Sequence, residues 1–188
     1  MRQVTVLSGK GGTGKTTVVA SLTVLAEKCV VADCDVDAPD LHLLLNPQVL
    51  EEEDFRGSKL AAVDSGKCIR CGLCRKSCRF NAISDDFKVS PFTCEGCGVC
   101  RIVCPTKAIE LKDRVSGQVY ISRTLYGYMV HALLYPGESN SGKLVSAVRQ
   151  KARSLSLEKE SDVVLIDAAP GIGCPVIASI TGADAGLI

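Results

Sequence analysis

An α/β fold on a parallel sheet, interrupted by a cysteine-rich insertion, is the architecture that three observations predict. A short apolar run, Val4–Leu7, ends in a glycine-rich loop and leads into apolar residues at helical spacing; a second apolar run, Cys29–Ala32, follows; and eight of the eleven cysteines fall between Cys68 and Cys104. The first two describe a strand–helix–strand unit of the kind that builds parallel sheets. With 188 residues, 46% hydrophobic and 23% charged, the chain has an ordinary globular composition. The net charge of +1 points to no nucleic-acid or anionic-membrane partner. Runs such as Val163–Ile166 are far short of the ~20 residues a membrane span needs. Met1–Leu7 has no basic start or long apolar stretch, so no signal peptide is read and a cytoplasmic location is expected.

The elements follow in order. Val18, Val19, Leu22, Leu25 and Ala26 set a helix running up to Lys28, and Leu41–Leu45 starts another after Pro39. The acidic run Glu51–Asp54 reads as a solvated linker leaving the sheet, and the cysteine block spans 64–112. Beyond it, Gln118–Ser122 and Tyr126–Leu134 read as strands around a turn near Gly127. Ser141 is placed as the N-cap of a helix from Gly142 to about Leu157, with Leu144, Val145 and Val148 on one face. Val163–Ile166 is a buried strand ending at Asp167, and Val176–Ile180 starts a helix. Ala185–Ile188 reads as the opening of a further interior strand. The host domain is therefore expected to comprise 1–63 and 113–188 and to be C-terminally incomplete, the chain being a fragment that binds ATP weakly and dissolves poorly.

Gly9-Lys10-Gly11-Gly12-Thr13-Gly14-Lys15-Thr16 fits G-x-x-x-x-G-K-[ST] between a strand and a helix, the context that a phosphate-binding loop requires. Glycines let successive N–H groups turn toward a phosphate, and the helix start adds its positive dipole end. Lys15 is expected to reach the β- and γ-phosphates and Thr16 to hold Mg²⁺, with Thr17 completing the loop. Lys10, a second lysine within the loop, resembles the deviant phosphate loop of the MinD, ParA and nitrogenase iron-protein superfamily. The resemblance implies that Lys10 reaches a partner subunit's nucleotide in a nucleotide-dependent homodimer, acting as an arginine finger does. It also implies that Asp167, in Asp-Ala-Ala-Pro-Gly, is the Walker B aspartate orienting Mg²⁺ through water, and that Asp35, rather than Asp33, positions the attacking water. Asp37 and Asp40 are weaker candidates, equally suited to turns near Pro39.

Cys68-x2-Cys71-x2-Cys74-x3-Cys78 and Cys94-x2-Cys97-x2-Cys100-x3-Cys104-Pro105 repeat the two-cluster bacterial ferredoxin spacing. Three thiolates wrap one cubane while the fourth is carried to the other cluster. Cys68, Cys71, Cys74 and Cys104 are thus assigned to one 4Fe-4S cluster, and Cys94, Cys97, Cys100 and Cys78 to the second. Zinc is the competing metal, but the doubled run exceeds what zinc ribbons use. Arg79 stands where the ferredoxin pattern usually has proline, so its turn is expected to differ. Between Asp64 and Lys112, nine Lys/Arg face five Asp/Glu, and two oxidised cores with eight thiolates would bring the block near neutrality. Cys29, Cys34 and Cys174 read as small buried residues.

Together the motifs resemble a branch of MinD-superfamily P-loop ATPases with a ferredoxin-like insertion, including the stretch Glu138-x-Asn140-Ser141-Gly142-Lys143-Leu144-Val145. That resemblance implies ATP, Mg²⁺ and two 4Fe-4S clusters as cofactors and a redox or cluster-acceptor protein as partner. ATP hydrolysis would be coupled to electron transfer or cluster delivery. The alternative is a nucleotide-binding redox module without significant hydrolysis. A MinD-like positioning role would need a membrane-binding amphipathic helix, and none is read.

Overall fold

The computed structural model describes residues 1–138 and 141–188, so Asn140 of the stretch noted above lies outside the described residues. In chain order the elements are β1 (Arg2–Val6), α1 (Lys15–Leu25), β2 (Cys29–Cys34), α2 (Leu41–Leu45), β3 (Gln48–Phe55), β4 (Ser58–Val63), α3 (Leu73–Lys76) and α4 (Val99–Ile102). They continue with β5 (Ile109–Arg114), β6 (Gly117–Arg123), β7 (Gly127–Leu134), α5 (Ser141–Glu158), β8 (Val163–Ala168), α6 (Cys174–Ile180) and β9 (Ala185–Leu187). The chain divides into two compact units, one made of Met1–Phe55, Gly117–Pro136 and the C-terminal stretch to Ile188, the other of Arg56–Ser116 with Gly137 and Glu138. The second unit begins at Arg56, ahead of the first cysteine run, because β4 and β5 belong to it.

The first unit is an α/β domain on a seven-stranded sheet of order β3-β6-β7-β2-β8-β1-β9. Strands β7, β2, β8, β1 and β9 are parallel, and β6 and β3 continue antiparallel. The central strand β2 is buried at every residue, as its unbroken Cys-Val-Val-Ala-Asp-Cys run demands of a strand covered on both faces. One face packs Val30, Val130, Val164 and Ile166 against Leu144, Val145 and Val148 of α5. The other packs Val31, Met129 and Leu165 against Val19 of α1 and Leu41 and Leu45 of α2. Each such side chain contributes roughly 1.5–3 kcal/mol by leaving water. Helix α5 begins at Ser141 itself, so the expected cap residue lies inside the helix.

Two readings need correction here. Glu51–Asp54 is no linker but the middle of β3, the sheet's edge, paired with β6. Strand alternation directs Glu53 to Lys151 of α5, with which it forms an ion pair, and turns Glu52 to the opposite face. Charged edge strands resist pairing with other chains, which explains why an acidic strand sits there. Strand β9 pairs with β1 and is exposed along its length. Cys29 and Cys34 are buried, but Cys174 is exposed at the start of α6.

The second unit is built on the antiparallel pair β4–β5, with α3, α4 and an isolated bridge between Ile83 and Val89. Its buried apolar residues among those described are few and mostly small: Ala61, Cys74, Ala82, Ile83, Ala108 and Ile109, of which Ala61, Cys74, Ile83 and Ile109 pack together. Glu138 accepts a hydrogen bond from Ser58 Oγ (3.0 Å) and pairs with Arg114, so one buried carboxylate holds the start of β4 to the end of β5. The Gly57 N–H donates to Ser116 Oγ at 3.0 Å beside it. Glu138 thereby has a structural task that its sequence context did not reveal.

Candidate functional site

Parallel pairing of β1 and β2 on either side of β8 brings Val6, Asp33 and Asp167 into one row at the strands' C-terminal ends. Open α/β sheets bind ligands at this edge. The loop from Ser8 to Thr17 rises from β1, and Gly12 (φ 75°) and Gly14 (φ 90°) take left-handed conformations that side chains disfavour. α1 starts at Lys15, directly after Gly14. Gly11, Gly12, Thr13, Gly14, Lys15, Thr16 and Thr17 line an open cleft of about 420 Å³ with Ser8, Asp35, Asp40 and Pro170. The Gly171 N–H donates to the Ser8 carbonyl (3.1 Å), tying the loop after β8 to the phosphate loop. A helix start, a glycine loop, one lysine and threonine hydroxyls form a donor set that fits a nucleotide's phosphates and a magnesium ion.

Lys15 Nζ lies 2.6 Å from Asp167 Oδ1, and both side chains are buried. Asp35 also lines the cleft, and burial holds its carboxyl above the ordinary carboxylate range. Asp33 accepts the N–H groups of Asp35 (3.1 Å) and Leu41 (3.2 Å), fixing the turn that carries Asp35 and seating α2. Burial, followed by the Asp167 charge, pushes Asp33 up to about 7. Asp40 lines the cleft while Asp37 does not. Gly9 and Lys10 are exposed and are not among the residues lining the cleft; the Lys10 carbonyl accepts a hydrogen bond from Ser8 Oγ at 2.9 Å.

The eight clustered cysteines face two separate cavities in the second unit. Cys68, Cys71, Cys74 and Cys104 line one, and Cys78, Cys94, Cys97 and Cys100 the other. Each cavity therefore receives three thiols from one run and the fourth from the other. The two halves repeat in backbone detail. Gly72 (φ 79°) precedes α3 as Gly98 (φ 80°) precedes α4, and Asn81 (φ 49°) matches Lys107 (φ 53°). Cys78 Sγ accepts the Ala82 N–H at 3.4 Å, and Cys104 Sγ accepts the Ala108 N–H at 3.3 Å. The turn at Arg79 does not differ: Asn81 N–H to Cys78 O (3.3 Å) reproduces Lys107 N–H to Cys104 O (3.2 Å) beside Pro105. Burial would raise the Cys104 thiol, but the Ala108 N–H and the Thr106 hydroxyl outweigh it and draw the thiol below its usual range. Burial raises Cys74 and Cys100, so their thiolate forms need a cation.

Among the described residues, no three Cys, His, Asp or Glu side chains converge closely enough to hold one metal ion. Each cavity offers four thiols, one of them accepting a backbone N–H, a donor set that fits a four-thiolate group. Among the described residues no helix is long and apolar enough to cross a membrane. Two positions escaped sequence reasoning, Asp33 as the brace of the Asp35 turn and Glu138 as the clasp of β4 and β5. The resemblance includes both residues but assigns neither task, and nothing in the surrounding sequence signals which backbone groups or strands they hold.

Residues 4–152 match the CobQ/CobB/MinD/ParA nucleotide binding domain. The chain is 38% identical over 196 residues to an uncharacterized protein of Methanocaldococcus jannaschii, MJ0578, covering 98% of this chain and 66% of that protein. It is 28% identical over 193 residues to the uncharacterized MJ0579 of the same organism, covering 100% of this chain and 68% of the relative. The chain thus spans about two thirds of the length of these relatives. The septum site-determining protein MinD of Pyrococcus horikoshii, complexed with Mg-ADP, superposes with a TM-score of 0.48 at 18% identity, over 98% of this chain and 56% of that one.

Proposed function

The chain belongs to the CobQ/CobB/MinD/ParA nucleotide-binding family, and on that premise we propose that it is an ATP-binding iron–sulfur protein in which ATP hydrolysis is coupled to electron transfer or cluster delivery. The observation that carries the iron–sulfur part is the crossed placement of the eight cysteines around two cavities. Each cavity would hold one 4Fe-4S cluster, which supplies one-electron chemistry when bound. Cys68, Cys71, Cys74 and Cys104 would ligate one, and Cys94, Cys97, Cys100 and Cys78 the other.

In the nucleotide unit, Lys15 must leave Asp167 to reach the β- and γ-phosphates, exchanging one anion for another. The Thr16 hydroxyl would then hold Mg²⁺, and Asp167, so released, would orient it through water. Asp35 orients the water whose oxygen bonds to the γ-phosphorus as the bond to the bridging oxygen breaks, giving ADP and phosphate. Lys10, exposed outside the cleft, is free to meet the nucleotide of a second copy, so turnover depends on a homodimer. The partner that takes the electron or the cluster is a separate acceptor protein.

The same exposure of Lys10 supports a second reading, a redox module that binds nucleotide as a conformational ligand and hardly hydrolyses it. Steady-state ATP turnover by anaerobically purified, full-length protein, with and without dithionite, separates the two. Turnover that responds to the reductant supports coupling. Turnover at the uncatalysed rate in both conditions overturns the ATPase reading.

A further inference from the structure

The two cysteine loops have matching backbones but different faces. The first reads Lys67-Cys68-Ile69-Arg70-Cys71-Gly72-Leu73 and the second Thr93-Cys94-Glu95-Gly96-Cys97-Gly98-Val99. The first carries two cations and no carboxylate; the second carries one carboxylate and no cation. In the first, Ile69 is 64% exposed and Leu73 44% exposed, with Arg70 and Cys71 also at the surface. Lys67 pairs with Asp64 at 3.2 Å, which leaves the Arg70 guanidinium as the charge without a carboxylate partner among the described residues.

Arg70 is also conformationally out of place. Its φ is 52°, in the left-handed region, and its counterpart in the second loop is Gly96 at φ 62°. Gly96 has a steric reason to be glycine, since a Cβ there would meet the Lys59 carbonyl oxygen at 2.2 Å. The second loop is thus packed under β4, and the first presents a long cationic side chain from a position where glycine would be easier. Ile69, Arg70 and Cys71 all line the cavity of Cys68, Cys74 and Cys104.

We infer that the Lys67–Leu73 loop is the docking surface for an acidic one-electron carrier protein, with Arg70 as its charged anchor and Ile69 and Leu73 as its apolar contacts. This rests on the iron–sulfur reading above. An apolar patch beside one unpaired cation suits a partner whose redox centre is ringed by carboxylates, because the complementary charge steers the encounter and the exposed aliphatic groups close it. In such a complex one electron would pass from the reduced cluster that Cys68, Cys71, Cys74 and Cys104 would hold to the oxidised centre of the carrier, so the cluster is oxidised and the carrier reduced; no bond is made and no proton moves. The second loop, with Glu95 at its rim, would repel the same carrier.

The test is isothermal titration of the cluster-loaded full chain with a plant-type 2Fe-2S ferredoxin, a small acidic carrier, at low and high salt. Iron and sulfide are counted on each sample before mixing. Arg70→Glu should weaken binding at least tenfold at low salt and abolish its salt dependence. Arg70→Gly should weaken it nearly as much, and because glycine suits that φ, its loss cannot be ascribed to misfolding. Arg101→Glu, on the exposed face of α4 beside the second loop, should change binding less than twofold. Equal losses at Arg70 and Arg101, no loss at Arg70, or equally tight binding of basic cytochrome c would overturn the docking surface while leaving the clusters in place. Absence of iron from the unmutated chain would overturn the iron–sulfur reading and the docking surface with it.

Discussion

The nucleotide unit and the cysteine unit are held together by different means. The first stacks apolar side chains on both faces of a seven-stranded sheet, with Leu41, Met129, Leu144 and Ile166 fully buried. The second has one two-stranded sheet, two four-residue helices and a core of Ala61, Cys74, Ile83 and Ile109. A unit of this size buries too little apolar surface to be secure by itself. The difference teaches that the α/β unit carries its own stability, whereas on the proposed iron–sulfur reading the cysteine unit would draw much of its stability from the clusters its thiols hold.

Metal removal should break the comparison open most widely. Stripping iron with a chelator under anaerobic, reducing conditions should erase amide protection throughout β4 and β5 while β1, β2 and β8 keep theirs, as hydrogen exchange read by mass spectrometry would report. Simultaneous loss in both units would show that they share one stability. Within the nucleotide unit the largest single effect should come from Lys15→Ala. It leaves the buried Asp167 carboxylate without its partner, costing about 3–5 kcal/mol in urea unfolding, and it should abolish nucleotide binding. Lys10→Ala should leave binding intact and remove ATP-dependent dimerisation and turnover, as sedimentation with a slowly hydrolysed analogue would show. Equal loss of affinity in the two variants would return Lys10 to an ordinary contact within its own subunit.

Asp33 sharpens the comparison through pH. Its carboxyl ionises near its ordinary 3.8 in the unfolded chain but is pushed up to about 7 in the fold. The folded state therefore gains relative stability below 3.8 and loses it progressively as pH rises through 7, by an amount on the order of 4 kcal/mol. Thermal melting of the nucleotide-free chain should show this fall, and Asp33→Asn should flatten it. A melting profile unchanged by Asp33→Asn would remove Asp33 from the account. The smallest expected effect is in the other unit. Glu138→Gln keeps the shape of the β4–β5 clasp but removes the charge facing Arg114, costing about 1–2 kcal/mol, and should speed exchange in β4 and β5 but not in β8.

Much of the nucleotide unit was legible because its signals are local. Val-Val-Leu-Ile before Asp167 can hardly be anything but a buried strand, and the Gly11–Thr16 run requires strand, loop and helix around it. Strand β3 was not legible, since Glu51, Glu52, Glu53 and Asp54 disfavour strands intrinsically and are accommodated by the edge position, with Glu53 also paired to Lys151 of α5. Cys174 looked like a core residue by type, but the turn through Gly171 and Gly173 delivers it to the surface. Doubled cysteine spacing indicated which thiols share a cavity. The inequality of the two loops, one packed beneath Lys59 and one open at Arg70, depended on tertiary contacts that spacing does not encode.

The crossed occupation of the two cavities is the central claim, and iron and sulfide analysis combined with electron paramagnetic resonance of Cys78→Ser tests it most directly. The unmutated, anaerobically reconstituted chain should contain about eight iron and eight sulfide. Cys78→Ser should disturb the same reduced-cluster signal as Cys97→Ser and leave intact the one disturbed by Cys71→Ser. Stoichiometric zinc without cluster absorption, or a Cys78→Ser spectrum matching that of Cys71→Ser, would contradict the claim.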